Sequence, residues 1–385
     1  MNHSIIEVVR KELKDGLRDR RSMTGVVGYA LLVPLLLAMM LNAAEQQQAE
    51  GPGEVKIVNK SAAPGLMAHL RAEGYELVDA QGEPGSDVRP ERQRPALRVD
   101  PEFGARMEQG RPARVFLMVD SPRDESAADR LDETIGAYAA ELAQLRLQSR
   151  GVSPELIRPV DIQRQDFSTP AQRAAQLLGI LVFFLLMAPF AASMSLAIDM
   201  LAGERERRSM ELLLVQPVAP WHLATGKWLT AALFGLAGTA LILVASGLIL
   251  PRVDVSSLGT ILDLPLEQRL LLGVAIAPLA FLAAGLQSLL SLFARSYKEA
   301  QFYLSGLMFL PMMVLFGLDF LGIEEGNWQS LTPVVAQHEL AMEVLRGTVP
   351  TTISFVAAAV PTLVLAILLT GLAAQMLKRE RAVSA

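Results

Sequence analysis

Cysteine is absent from this 385-residue chain, which excludes a disulfide framework, thiol catalysis and cysteine-ligated zinc or iron–sulfur centres. Charge is scarce as well. Asp, Glu, Lys and Arg make up 19% of residues against 51% apolar ones, and mean hydropathy is +0.34. That balance suits neither a soluble globular protein nor a disordered one. A basic excess is also missing: 35 Lys+Arg face 40 Asp+Glu, for a net charge of −5. Phosphate neutralisation needs such an excess, so nucleic acid is not an expected partner. What the chain has in quantity is long apolar runs.

Six stretches contain no Asp, Glu, Lys or Arg: 23–43, 174–198, 228–250, 270–294, 300–318 and 353–377. They are 19 to 25 residues long, and a hydrocarbon core of about 30 Å needs about 20 helical residues. Uninterrupted apolar runs lack the alternation of a membrane barrel strand. The expected fold is therefore an α-helical polytopic membrane protein with six transmembrane helices. The first run exceeds a signal-peptide core and follows 22 more polar residues, which favours a retained anchor.

Charge asymmetry predicts the orientation. With both termini inside, the cytoplasmic segments 1–22, 199–227, 295–299 and 378–385 hold fifteen Lys+Arg. The short outer loops 251–269 and 319–352 hold three, and long loops are excluded from the rule. The expected location is a multi-pass inner (cell) membrane protein with cytoplasmic termini. Segment 44–173, with 17 basic and 22 acidic residues, is domain-sized and reads as an extracytoplasmic α/β domain inserted between helices 1 and 2. Strands are expected at 55–58, 75–78, 114–119 and 158–165, and helices at 64–73 and from Asp120-Ser121-Pro122 to about Gln148. The proline-rich stretch 84–95 reads as a mobile loop.

Enzyme motifs fail. Gly226-Lys227 is followed by Trp228 and has no glycine at 221, so no P-loop is present. His338-Glu339 starts like a zincin helix, but Met342 takes the second histidine position. Neither a catalytic residue nor a metal site is expected, and no cofactor is assigned to this chain. Within the spans the candidate polar residues of a translocation path are Ser193, Ser195, Gln287, Ser288, Ser291 and Ser305; hydroxyls and amides there equally join helices. Membrane ion sites normally include an ionisable group, and these runs have none, which argues against a dehydrated sodium path through one subunit. Proline occurs in five spans, at Pro34, Pro189, Pro278, Pro311 and Pro361, each permitting a kink. Gly235, Gly238 and Gly285 permit close helix contact and suit dimerisation.

The informative stretch runs from Asp199 to Val218 and on to Gly226-Lys227. The spacing predicts a charged helix, about 200–216, under the membrane. Glu204 and Arg208, and Arg207 and Glu211, are i,i+4 pairs; Met210, Leu213 and Leu214 form an apolar stripe, and Pro217 and Pro220 stop the helix. Such a helix, held between two spans, suits a groove on a cytoplasmic partner; otherwise its charges only fix topology.

The pattern A-I-D-x-x-A-G-E-R-E-R-x-x-x-E-x-L-L-x-x-P-V, followed by Gly-Lys, resembles the permease subunit of type-2 ABC exporters, in its sodium-efflux-permease-like branch. The layout resembles it too: an amino-terminal helix, one span, a large outer domain, five further spans, and Thr332-Pro333 with Leu345-Arg346-Gly347 before the last. One departure is Arg208-Ser209, where that family usually has Gly-Thr. The resemblance implies a permease that moves sodium or an amphiphilic compound outward. Glu204, Arg205, Glu206, Arg207, Met210, Glu211 and Leu213 would couple it to a separate cytoplasmic ABC ATPase subunit that binds ATP and Mg. A second permease chain and membrane lipid complete the implied partners. Residues 8–23 likewise resemble the amphipathic connecting helix, with Ile5, Val8, Val9 and Leu13 on one face and Arg10, Lys14 and Arg18 on the other. Two other readings stay open: a secondary transporter driven by a gradient, and an ABC-coupled mechanotransmission or signalling protein without a substrate path.

Overall fold

The computed structural model describes residues 2–49, 53–79, 96–118, 125–153, 170–210, 218–253, 262–322, 326 and 328–384. The expected strand at 158–165, the loop at 84–95 and the coupling residues Glu211 and Leu213 lie outside the described residues. The chain forms two compact units, Met1–Glu45 with Phe167–Ala385, and Gln46–Asp166.

In the first unit, helices α1 (Asn2–Arg18) and α2 (Arg20–Ala49) lead in, and α6 (Pro170–Ile198) follows the inserted unit. A π-helical turn, Asp199–Gly203, and a single α-turn, α7 (Glu204–Glu206), come next. The remaining helices are α8 (Pro220–Ile249), α9 (Leu266–Phe293), α10 (Tyr297–Met308), α11 (Leu310–Phe320), α12 (Val335–Leu345) and α13 (Thr352–Ser384). Among the described residues six segments are long and apolar enough to cross a membrane: Arg20–Ala43, Leu177–Glu206, Pro220–Arg252, Leu266–Phe293, Tyr297–Leu318 and Thr352–Arg379. The chain is a helical membrane protein.

Helix α9 is central, packed on α6, α8 and α13, while α8 also carries α1. Association of helices in lipid rests on close packing and interhelical hydrogen bonds rather than on escape from water, and this bundle has both. At Gly238 an added Cβ would sit 2.3 Å from the Ala192 Cβ, so α6 and α8 touch at backbone distance there. Gln287 on α9 donates through Nε2 to the Phe190 carbonyl at 2.7 Å, and its Oε1 lies 2.7 Å from the Ser193 hydroxyl. A Gln287→Leu variant takes the side-chain donor from the Phe190 carbonyl and leaves the Ser193 hydroxyl only the Pro189 carbonyl, at 2.6 Å. The expected cost is about 1–2 kcal/mol, read as a lower unfolding midpoint in detergent.

Two departures from the expected spans have physical causes. The fifth run breaks at Phe309 into α10 and α11, because Pro311 lacks an amide hydrogen and disfavours helical geometry just before it. The loop expected at 319–352 contains α12, packed against α6 and α9 with Ala341 fully buried. Gln337 fixes it: its Oε1 accepts from the Val334 amide at 2.7 Å, and its Nε2 donates to the Ala358 carbonyl and the Thr362 hydroxyl at 2.9 Å each. Val334 itself has φ 75°, a costly conformation for a β-branched residue.

The second unit is α/β. Strands β1 (Glu54–Val58), β2 (Glu76–Asp79), β3 (Ala96–Val99) and β4 (Val115–Met118) form one sheet in the order β2-β1-β3-β4. β1 is parallel to β2 and β3, and β3 is antiparallel to β4. Helices α3 (Pro64–Ala72), α4 (Phe103–Glu108) and α5 (Glu125–Ser149) accompany it. Val55, Ile57, Leu66, Leu70, Leu97 and Leu131 make the core. The sequence reading located β1, β2, β4, α3 and α5 within a few residues and passed over β3 and α4. β3 alternates too briefly, Ala96-Leu97-Arg98-Val99, to stand out from the charged residues before it.

Candidate functional site

Among its described residues, the charged corner between α6 and α8 is not the regular charged helix that its i,i+4 spacing predicts. The π-turn, with its longer hydrogen-bonded loop, rotates the chain so that Glu204 points inward and is 6% exposed. It meets Lys227, which is 1% exposed one residue after Gly226 in α8, and Glu12 of α1, which is 3% exposed. The Lys227 Nζ donates to Glu12 Oε1 at 2.8 Å, to Glu204 Oε2 at 2.7 Å and to the Met200 carbonyl at 2.8 Å. An ammonium has three donors, and all three are used. Lys11, half-exposed at the rim, reaches Glu12 Oε1 at 3.1 Å and Glu204 Oε1 at 3.2 Å. Two ammoniums and two carboxylates give a neutral knot that joins α1, the α6–α8 corner and α8.

Burial favours neutral Glu12, but the Lys227 charge and hydrogen bond, with Lys11 added, outweigh it and hold its carboxyl below the usual glutamate range. Burial likewise pulls Lys11 down, yet Glu12 and Glu204 together raise it above the ordinary lysine value. Both groups are therefore held in their charged forms.

Glycine brings the helices close enough for this. A Cβ at Gly226 would lie 2.5 Å from Val8 Cγ1, and one at Gly16 would lie 2.8 Å from Leu196 Cδ1. The apolar residues of α1 named from the sequence are half-buried, but the same face also buries Glu12 and Gly16.

The rest of the corner is equally committed. Arg205 donates through Nη1 to the Leu292 carbonyl at 2.7 Å and the Ala294 carbonyl at 3.0 Å, capping the end of α9. Glu206 accepts the Tyr297 amide at 2.6 Å, at the start of α10. Arg207 pairs with Asp199 at 3.0 Å, and its pKa is raised chiefly by that hydrogen bond. Met210 is buried among α6 and α8 side chains instead of facing outward. The expected Glu204–Arg208 pair is not formed, because Glu204 is spent on Lys11 and Lys227. Arg208 is exposed at φ 57°, a left-handed position that ends the turn. Glycine adopts that conformation without steric cost, so the departure from the family pattern falls where glycine would be easiest. Arg208→Gly is expected to raise stability by about 0.5–1 kcal/mol and Arg208→Val to lower it, measured by thermal unfolding.

Sequence reasoning missed Lys11, Glu12 and Lys227. Gly226-Lys227 drew notice only as a failed P-loop and a family feature, and nothing local shows that its partner lies 215 residues away.

The polar residues proposed for a path have varied positions. Ser193 and Gln287 are bonded to each other, and Ser195 is 3.4 Å from the Ser22 hydroxyl. Ser288 and Ser291 have buried hydroxyls without a partner among the described residues, and Ser305 is half-buried. A cavity of 560 Å³ lies between α11 and α12, lined by His338, Glu339, Glu343 and Arg346 among others. Burial and then Arg346 lower the His338 pKa, so its imidazole is neutral at neutral pH.

The family model described as "ABC-2 family transporter protein" matches residues 6–380. The ABC transporter permease protein NatB of Bacillus subtilis (strain 168) is 28% identical over 360 residues, covering 90% of this chain and 91% of that protein.

Proposed function

The chain belongs to the ABC-2 family of transporter proteins, and from that premise we propose that it is the permease subunit of an exporter driven by a separate ATP-hydrolysing chain. One observation carries the reading: Glu204, Arg205, Glu206 and Arg207 each bond a different partner around one corner. Glu204 holds α1 and α8, Arg205 the end of α9, Glu206 the start of α10, and Arg207 the end of α6 through Asp199. A push on the exposed turn at Arg207-Arg208 therefore displaces five helices together. A helix merely lying on the surface would transmit nothing to them.

In this reading both termini are cytoplasmic, the Gln46–Asp166 unit is extracytoplasmic, and the ATPase binds ATP and Mg. Substrate moves outward between two permease chains. An amphiphilic compound fits better than a dehydrated sodium ion, since Ser193 and Gln287 are occupied with one another and with backbone carbonyls and the apolar runs hold no carboxylate.

The test is reconstitution with the partner ATPase in vesicles. The chain alone should hydrolyse no ATP; the complex should export an amphiphilic dye when ATP is supplied. Arg208→Glu reverses an exposed charge whose side chain bonds nothing among the described residues, and should lower dye export about tenfold while the unfolding midpoint stays put. Unchanged export in that variant, or ATP hydrolysis by the isolated chain, overturns the reading.

A further inference from the structure

Beyond this activity, a second site lies at the other end of α8. Its last turns and the first turns of α9 enclose an apolar groove of 410 Å³. Leu236, Leu243 and Val244 line it from α8, and Leu270, Gly273 and Val274 from α9. Its lining on α8 runs from Leu236 to Val244, eight residues on, so the groove runs about 12 Å along that helix. Val244, Leu270 and Val274 are each more than half exposed, which on a bilayer-spanning segment means that the groove opens toward lipid.

An arginine closes its end. Arg269 lines the groove, and its guanidinium lies over the bare backbone of Gly247: a Cβ there would be 2.3 Å from Nη1 and 2.6 Å from Cζ. Its Nε is buried without a hydrogen-bond partner, and Arg269 makes no ion pair among the described residues. A buried, unpaired guanidinium donor is costly, and more so beside hydrocarbon. An anion presented at the groove's mouth, with apolar length behind it, would supply a partner.

We propose that this groove binds one phospholipid, its phosphate on the Arg269 guanidinium and one acyl chain along the α8–α9 seam. The guanidinium fork matches phosphate oxygens bidentately, and the remaining length is apolar. A free phosphate ion would satisfy Arg269 but leave the seam empty; a lipid satisfies both. Gly247 and Gly273 are the two positions that shape the site, the first by making room for the Arg269 guanidinium and the second by making room for the chain.

Native mass spectrometry of the full chain, released from detergent with added phosphatidylglycerol, tests this. The wild type should retain one lipid adduct. Arg269→Gln should reduce retention about tenfold or more, as loss of a charge-assisted bond requires. Gly273→Leu should do the same with Arg269 still present; a Cβ at 273 meets only Leu243 Cδ1, at 3.5 Å, so the fold accepts it while the longer side chain fills the seam. An adduct unchanged in both variants overturns the proposal. So does displacement of the lipid by an equal concentration of inorganic phosphate, which makes the site one for a free anion. Loss of the adduct specifically in a dimer peak overturns it too, by giving the groove to a second copy of the chain.

Discussion

Replacing Lys227 by Met should detach α1 from the bundle. The substitution keeps the side chain out to Cε and removes the ammonium that satisfies Glu12, Glu204 and the Met200 carbonyl at once. Taking one partner from a buried ionic cluster leaves uncompensated charge, at a cost of about 3–5 kcal/mol. Only Lys11 then remains against two carboxylates, and it sits at the exposed rim. Amide hydrogen exchange over residues 5–17 should accelerate by two orders of magnitude or more, while α9 stays protected. Exchange at the wild-type rate would show that the knot contributes nothing to docking.

The same variant should reverse the pH response. In the wild type the Glu12 pKa is depressed. A carboxylate of that kind stabilises the fold above its unfolded value of about 4.3, and the contribution disappears as pH falls through the lower folded value. Docking of α1 should therefore be flat from about pH 8 to about pH 5. Without Lys227, burial becomes the dominant influence on Glu12 and favours its protonated form. Docking in the variant should then strengthen as pH falls across that interval, and a flat profile would argue against charge as the cause.

Gly226→Leu should detach the same helix by a different route. The new side chain occupies space held by Val8 Cγ1 at 2.5 Å and Cβ at 2.7 Å, with every charge in place. Overpacking of this kind costs about 1–3 kcal/mol. Exchange over residues 5–17 should rise by about tenfold, to an extent independent of pH. Charge and packing are thereby separable at adjacent residues: a pH-dependent response at 227 and a pH-independent one at 226.

The difference between these two sites mirrors what the amino-acid sequence reveals. Span positions were legible because an apolar run is a local property, and the amphipathic face of α1 was legible for the same reason. The sequence singles out the Glu204–Arg207 stretch but does not show its orientation. Alternating charges read as a solvated helical face only if the helix is regular, and here the π-turn at Asp199–Gly203 turns Glu204 inward. Glu12 was hidden in a stretch whose other charges, Arg10 and Lys14, are exposed. Helix α12 escaped notice because His338, Glu339 and Glu343 lower its hydropathy, although its other face is core. In each case a tertiary contact decides what composition leaves open.

The knot also fixes an order of assembly. Glu12 and Lys227 lie 215 residues apart, so during synthesis α1 emerges long before the cation that neutralises its buried carboxylate. Until α8 has entered the bilayer, α1 must rest at the interface with Glu12 hydrated, and its final seating waits on the third span. A nascent chain truncated ahead of residue 227 lacks that cation, so its amino-terminal helix is expected to stay unseated.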